Sequence, residues 1–249
     1  MRSFSPRYAI LTDIHSNYGA LRAVLDAIAE QGVAAILCLG DLVGYGPNPH
    51  EVVKELEKLP NHCIRGNHDR YALGEQSDEI RAATAQAIDY TKRCLTPADL
   101  AFLQKLPDTT MFDDRILLVH GSPRNRDEYI VSAEGAVANY KHFRAEYAGI
   151  DLCFFGHTHV PMLIGDGRVV RQITPNEPVR LKRRTPYLIN PGSVGQPRDG
   201  NPDAAFGVLD MDASTMTFHR VAYDIEDTHQ RILDAGLQRH LGDRLRVGK

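Results

Sequence analysis

Short, unbroken apolar runs alternate along the first two thirds of the chain with stretches in which apolar residues recur every three or four positions. YAILT (8–12) is such a run, too short for a helix and without polar alternation, so it predicts a strand buried on both faces. After it, Leu21, Val24, Leu25 and Ile28 fall at i, i+3, i+4 and i+7, one stripe of an amphipathic helix that stops near Gly32. AAILCLG (34–40) repeats the buried run. Asn48 as N-cap, Pro49 at N1 and Glu51 at N3 then open a helix carrying Val52, Val53 and Leu56. HCIRG (62–66) is a third run.

Strand ends near 13, 41 and 67 have the spacing of βαβ units in a mostly parallel sheet, where ligands gather at the carboxyl ends of the strands. Asp13, His15, Asp41, Asn67 and His68 therefore belong on one edge. RILLVHG (115–121) and DLCFFGHTH (151–159) end in the same way and deliver His120, His157 and His159. Helices are predicted over 78–95, after Thr96-Pro97, and over 132–147. Beyond Pro186 the pattern turns to β: YLINPGS, AAFGVLDMD and TMTFHRVAY follow closely with turn residues between them, as in an antiparallel sheet or hairpin, before a last helix over about 224–241. With no repeat, linker or low-complexity tract, 1–249 is expected to be one domain.

Composition narrows the function. The chain has 249 residues, 43% hydrophobic and 24% charged, the balance of a soluble globular protein. A net charge of −3 gives no general attraction for nucleic acid or an anionic membrane, so an anionic ligand has to be drawn by a local site. No apolar run approaches the roughly 18 residues of a membrane span, and the stretch before Asp13 is too short for a signal peptide, which points to the cytoplasm. Cys38, Cys63, Cys94 and Cys153 lack metal-site spacing and are expected to be reduced, mostly buried thiols. A homo-oligomer is left open.

Asp13, His15, Asp41, Asn67, His120, His157 and His159 make two carboxylates, one amide and four imidazoles. Seven ligands exceed the needs of one ion and suit two, with the central Asp41 as the bridge. Two divalent cations against two carboxylates leave about +2, or about +1 with a bridging hydroxide, and such a site attracts an anion such as a phosphate ester. The mixed N/O set without thiolate favours Mn, Fe, Zn, Co or Ni over Ca or Mg.

The blocks DIH (13–15), GD (40–41), GNHD (66–69), VHG (119–121) and GHTH (156–159), in this order, resemble those of the calcineurin-like metallophosphoesterases. The resemblance implies an α/β fold, a four-layer αββα sandwich of two mixed sheets flanked by helices. It also implies one ion on Asp13, His15, Asp41 and His159, a second on Asp41, Asn67, His120 and His157, and His68 as a non-ligand histidine near the leaving group. As imidazolium, a histidine placed one residue past a ligand can donate a proton to the leaving oxygen. Asp69 either orients His68, caps its loop or pairs with Arg70. The protein-phosphatase branch has an Asp-Arg pair shortly after its GD, whereas this chain reads GDLVGYGPN; the resemblance is closer to the small prokaryotic phosphodiesterase-like branch.

The leading expectation is a dinuclear metal-dependent phosphoesterase acting on a small phosphodiester or nucleotide substrate. A phosphomonoesterase and a dinucleoside polyphosphate hydrolase are the alternatives within the chemistry. A non-catalytic interaction scaffold on the same fold is the alternative outside it, disfavoured because all seven ligands and His68 are present. Asn17, Tyr45 and Arg124 are candidate substrate contacts, Arg124 competing with a surface salt bridge. NPGS (190–193) reads as a turn with Gly192 at positive φ, and VRLKRRTP (179–186) as a charged hairpin edge. Extended backbone through Thr158 would place His157 and His159 on one face, one for each ion.

Overall fold

All five buried runs are strands, but they are divided between two sheets. In a computed structural model, which describes residues 6–59, 61–75, 82–166, 168–170 and 172–249, the chain runs β1 (Arg7–Leu11), α1 (Tyr18–Ala29), β2 (Ala35–Cys38), α2 (Pro49–Glu57), β3 (Asn61–Cys63), α3 (Asn67–Ala72), α4 (Ala82–Cys94), α5 (Pro97–Lys105), β4 (Thr109–Phe112), β5 (Ile116–Val119), α6 (Ala133–Glu146) and β6 (Leu152–Phe154). It continues with β7 (Met162–Gly165), β8 (Arg168–Val170), β9 (Pro178–Arg180), β10 (Tyr187–Asn190), β11 (Ala204–Asp210), β12 (Thr215–Val221), α7 (Ile225–Asp234) and α8 (Arg239–Asp243). One sheet has the order β3-β2-β1-β11-β12-β9 and the other β4-β5-β6-β10-β7-β8. Each is mixed. The pairs β3-β2, β2-β1, β5-β6 and β6-β10 are parallel and the remaining pairs antiparallel, so the single, mostly parallel sheet expected from the strand spacing is replaced by the two mixed sheets of the family fold.

The alternation of side chains along each strand builds four layers. Ala9 and Leu11 of β1 pack with Leu21 and Val24 of α1 and Val52, Val53 and Leu56 of α2. Tyr8 and Ile10, pointing the other way, meet Leu37 of β2 and, across the sandwich, Ile116 and Leu118 of β5 and Phe154 of β6. The far faces of β5 and β6, Leu117, Val119 and Cys153, pack with Ala136 and Phe143 of α6. Apolar runs without polar alternation are thus explained, because both faces of these strands are covered.

Asn48 and Pro49 open α2 as expected, although the Asn48 side chain makes no cap bond and its Nδ2 donates instead to Glu51 at 3.2 Å. Ser132 caps α6 by accepting from the Gly135 N–H at 3.0 Å, and Thr96 with Asp99 forms a capping box on α5. The helix expected over 78–95 is described from Ala82; its first residues lie outside the described part. The one expected over 224–241 is broken, since Gly236 at φ +68° ends α7 in left-handed backbone and the chain reverses into α8. YLIN also departs from the expected hairpin, because β10 pairs with β6 and β7 in one sheet while β11 and β12 pair in the other. All four cysteines are free and Cys38, Cys63 and Cys153 are buried. Among the described residues no helix is long and apolar enough to cross a membrane.

Candidate metal centre

The carboxyl ends of β1, β2, β5 and β6 meet at one rim of the sandwich, and the loops that follow are bonded to one another. The Asp13 N–H donates to the Gly40 carbonyl at 3.1 Å, the His15 N–H to Asp41 at 2.9 Å, and the Gly156 N–H to His120 at 2.8 Å. The turns are sharp. Asp13, His15, Asp41, His157 and His159, five of the seven predicted ligands, have φ between 49 and 66°, a left-handed backbone that costs a non-glycine residue about 1 to 3 kcal/mol and gathers where function over-determines the geometry. This overturns the expected extended path through GHTH: β6 stops at Phe154, and the two imidazoles are separated by tight turns at His157 and His159.

Ligand atoms of Asp13, His15 and His159 lie within 4.8 Å of one another, as do those of Asp41, His120 and His157. Asp41 stands between the groups, its Oδ2 3.5 Å from His15 Nε2 and 3.4 Å from His120 Nε2. The Asn67 side-chain oxygen is 3.0 Å from His120 Nε2. His15, Asp41 and His68 make a third such group, so His68 is within ligand reach as well.

Imidazole orientation tests whether these groups suit cations. The Nδ1 atoms of His15, His120 and His159 face the carbonyls of Val43, Leu39 and Gln196 at 3.2, 2.8 and 2.6 Å. A carbonyl only accepts, so it fixes Nδ1 as the protonated nitrogen and turns Nε2 inward, the usual support of a metal-ligating histidine. Inside, His15 Nε2 faces His159 Nε2 at 3.1 Å, and His120 Nε2 faces His157 Nδ1 at 3.1 Å. Two ring lone pairs at that distance repel unless a proton or cation lies between them, and the donor set fits a borderline transition metal.

Burial and charge reinforce this. Burial pushes Asp13 up to about 7, with His120 opposing. Burial would also raise Asp41, but the imidazoles of His120, His68 and His15 hold it well below the usual carboxylate range. Burial opposes a charge on His120 too, yet contact with Asp41 lifts it to about 9. Burial carries His157 down to about 2 and lowers His15 and His159 well below the usual value. Without ions, therefore, one imidazolium accompanies Asp41 and the remaining candidate ligand histidines are neutral, the form in which an imidazole binds a metal.

Several predicted residues lie elsewhere or are otherwise engaged. Asp69 is the brace of a loop: its Oδ1 accepts from the N–H groups of Leu42 and Val43 at 2.9 and 3.1 Å, and its Oδ2 from Gly66 at 2.9 Å. None of these bonds reaches the His68 ring, and Arg70 pairs instead with Asp127 and Glu75. Arg124 is exposed, with Glu128 at 3.7 Å, which is the surface-pair alternative. Asn17 is buried and saturated, its Oδ1 capping α1 through the Ala20 N–H at 3.1 Å and its Nδ2 donating to the Gly195 carbonyl at 2.9 Å and to Tyr223. Asn17→Ala is expected to lower stability by about 1 to 3 kcal/mol in denaturant unfolding while leaving KM for a phosphodiester unchanged. Tyr45 does join the site, its ring centroid 4.3 Å from that of His68 and 4.7 Å from that of His15. Gly44, where the chain departs from the phosphatase pattern, has φ +92°, and a Cβ there would lie 2.3 Å from His68 Nδ1, so the bare backbone makes room for the His68 ring.

Other contributors had no such signal. The NPGS turn has Gly192 at φ +89° as expected, but it also braces the centre. Asn190 Nδ2 donates to the Gly156 carbonyl at 2.8 Å and to Thr158, and the Ser193 hydroxyl donates to the Asp13 carbonyl at 2.8 Å. Arg198 and Tyr129 were not anticipated. The Arg198 N–H donates to the His159 carbonyl at 3.1 Å, and the Tyr129 ring lies 3.7 Å from the His157 ring. Both belong to irregular segments, where no periodicity reveals what a side chain faces.

A mixed Asp/His cluster buried at the rim of an αββα sandwich defines a metal-dependent hydrolase. The chain belongs to the calcineurin-like phosphoesterases, whose family profile matches residues 6–161, and it is a metal-dependent phosphoester hydrolase. It is 35% identical to MJ0912, an uncharacterized protein of Methanocaldococcus jannaschii, over 97% of this chain and 98% of the other. A metallophosphoesterase from Sphaerobacter thermophilus has the same fold, with a TM-score of 0.85 and 38% identity over 98% of this chain and 100% of the other. The phosphodiesterase YfcE of Escherichia coli is 24% identical over 81% of this chain and 85% of its own length. These relatives are prokaryotic, in line with the branch the motifs resemble.

Proposed function

We propose that the protein hydrolyses a small phosphodiester or nucleotide with two divalent ions, one held by Asp13, His15, Asp41 and His159 and the other by Asp41, Asn67, His120 and His157. The observation that carries this reading is Asp41 standing between two ligand groups whose imidazole nitrogens face each other at 3.1 Å. When bound, the ions supply Lewis acidity that polarises a phosphoryl oxygen and acidifies water. The chain's own residues orient and exclude. Val43, Leu39 and Gln196 carbonyls hold three imidazoles in the ligand tautomer, and Asp69 fixes the loop carrying Asp41 against the start of α3.

His68 is the proton donor to the leaving oxygen. Burial brings its ring down to about 4, with Asp41 opposing, so the ion-free protein holds it neutral at pH 7. A phosphate anion alongside favours the imidazolium and supplies the missing stabilisation. The phosphodiesterase activity named for YfcE supports the diester as first substrate. The test is to load purified protein with Mn²⁺, Zn²⁺, Ni²⁺, Co²⁺ or Fe²⁺ and compare a phosphodiester, a phosphomonoester and a dinucleoside polyphosphate. Turnover of the diester that a chelator abolishes and Mn²⁺ restores is expected; no turnover of any substrate with any of these ions would sink the proposal.

A further inference from the structure

Arg198 lies beside the candidate centre, within electrostatic reach of Asp13 but in ion-pair contact with no carboxylate among the described residues. Its segment is bolted to two ligand loops, through the Gly195 N–H to the Asp13 carbonyl at 3.0 Å, the Arg198 N–H to the His159 carbonyl at 3.1 Å, and His159 Nδ1 facing the Gln196 carbonyl. The guanidinium lies 6.0 Å from the centroid of the Tyr45 ring and beside the Tyr129 hydroxyl. Nη2 donates to Gln196 Oε1 at 2.9 Å, whereas Nε is buried and has no acceptor. After burial, its charge is among the causes that hold the His159, His157, His68 and His15 rings below their usual range, which places it within electrostatic reach of both ligand groups.

A buried donor without an acceptor is costly, and a guanidinium beside bound cations is repelled by them. Both costs fall when an anion lies between the arginine and the ions. A simple phosphodiester brings one negative charge, which the two cations already draw. A substrate with an adjacent phosphoryl group answers both, since guanidinium matches phosphate oxygens with paired donors. Tyr129, about half exposed and with its ring against that of His157, adds a flat surface beside the guanidinium.

We propose, taking the phosphoesterase reading above as given, that Arg198 with Tyr45 and Tyr129 forms a second phosphate subsite beside the metal centre. This subsite selects nucleotides with a neighbouring phosphoryl group, of the nucleoside diphosphate or longer polyphosphate class, over simple phosphodiesters. Binding of AMP and of the non-hydrolysable α,β-methylene-ADP is measured by calorimetry on protein saturated with Mn²⁺, alongside hydrolysis of bis(p-nitrophenyl) phosphate. The diphosphate analogue is expected to bind about tenfold or more tighter than AMP, the worth of one charge-assisted contact. Arg198→Ala should close that gap by weakening the diphosphate analogue more than AMP, and Arg198→Lys should restore part of it, with metal content measured on each variant. An equal loss for both nucleotides, an undiminished gap in Arg198→Ala, or no binding of either nucleotide to the wild type overturns the subsite. If bis(p-nitrophenyl) phosphate is not hydrolysed but the gap exists and depends on Arg198, the diesterase reading fails and the subsite stands.

Discussion

Replacing His68 with alanine is expected to slow hydrolysis of an alkyl phosphodiester by about 10²- to 10⁴-fold, the usual contribution of a positioned general acid. An alkoxide leaves poorly without a proton, whereas p-nitrophenolate needs none, so bis(p-nitrophenyl) phosphate should lose far less. Metal content separates this role from ligation. His68 lies in a group with His15 and Asp41 within 4.8 Å, and a ligand's removal would cost an ion as well as rate. Full metal content with a leaving-group-dependent loss supports the acid; a lost ion, or equal losses on both esters, removes it. The pH profile gives a further check. A required imidazolium makes kcat fall as pH rises through the pKa of His68 in the substrate complex, which lies above the value of about 4 that burial imposes on the ion-free protein. His68→Ala should lack that alkaline limb.

Asp41→Asn should be the more damaging change for metal binding. The substitution keeps the shape but removes the carboxylate that stands between the two ligand groups, and activity is expected to fall by about 10³-fold or more, in line with the several kcal/mol that bound ions contribute. The ion-free variant should nevertheless fold. Its amide oxygen can still accept from the His68 N–H, where Asp41 Oδ1 accepts at 2.8 Å, while its NH₂ can donate to the inward ring nitrogens of His15 or His120. Mn²⁺ should therefore raise Tm in the wild type by mass action and fail to do so in Asp41→Asn. A metal-dependent Tm rise in the variant would remove Asp41 from the ligand set.

The pH dependence of the ion-free protein follows from the same pair. His120, lifted to about 9 by Asp41 against burial, contributes stability that is complete below its unfolded pKa of about 6.5 and is lost as pH rises through about 9. Asp13, raised to about 7 by burial, acts in the same sense, since the unfolded chain ionises first between about 3.8 and 7. His157, His15, His159 and His68, held below their usual range, act in the opposite sense and make stability rise with pH up to about 6.5. From there to about 9 the stability of the ion-free wild type should decline, and metal affinity should increase over that range as the protons held by His120 and Asp13 are released.

The candidate ligands were legible because each follows a short apolar run. Burial on both faces demands unbroken Val, Ile, Leu and Phe, and the first polar residues past the run have to lie at the strand's end, as Asp13, Asp41, His120 and His157 do. Sheet membership was not legible, because β1 and β5 are equally apolar and only long-range pairing decides that β5 belongs with β6 and β10. The surroundings of Asn17, and the choice among the alternatives left open for Asp69 and Arg124, were not legible for one reason. Adjacency to a ligand in sequence says nothing about which way a side chain turns when the backbone takes left-handed steps, and here the Asn17 amide caps a helix and the Asp69 carboxylate collects three N–H groups.

The amino-acid sequence by itself determined the strand-helix alternation, the seven polar residues at strand ends and the family they resemble, because these depend on local periodicity and on residue type. Tertiary structure decided what stands between those residues. Only it divided the strands between two sheets, turned the ring nitrogens of GHTH inward by tight turns instead of an extended strand, and brought Arg198 from a segment nearly forty residues further along to the rim beside His159. These outcomes rest on hydrogen bonds and packing between distant parts of the chain, which no local pattern encodes.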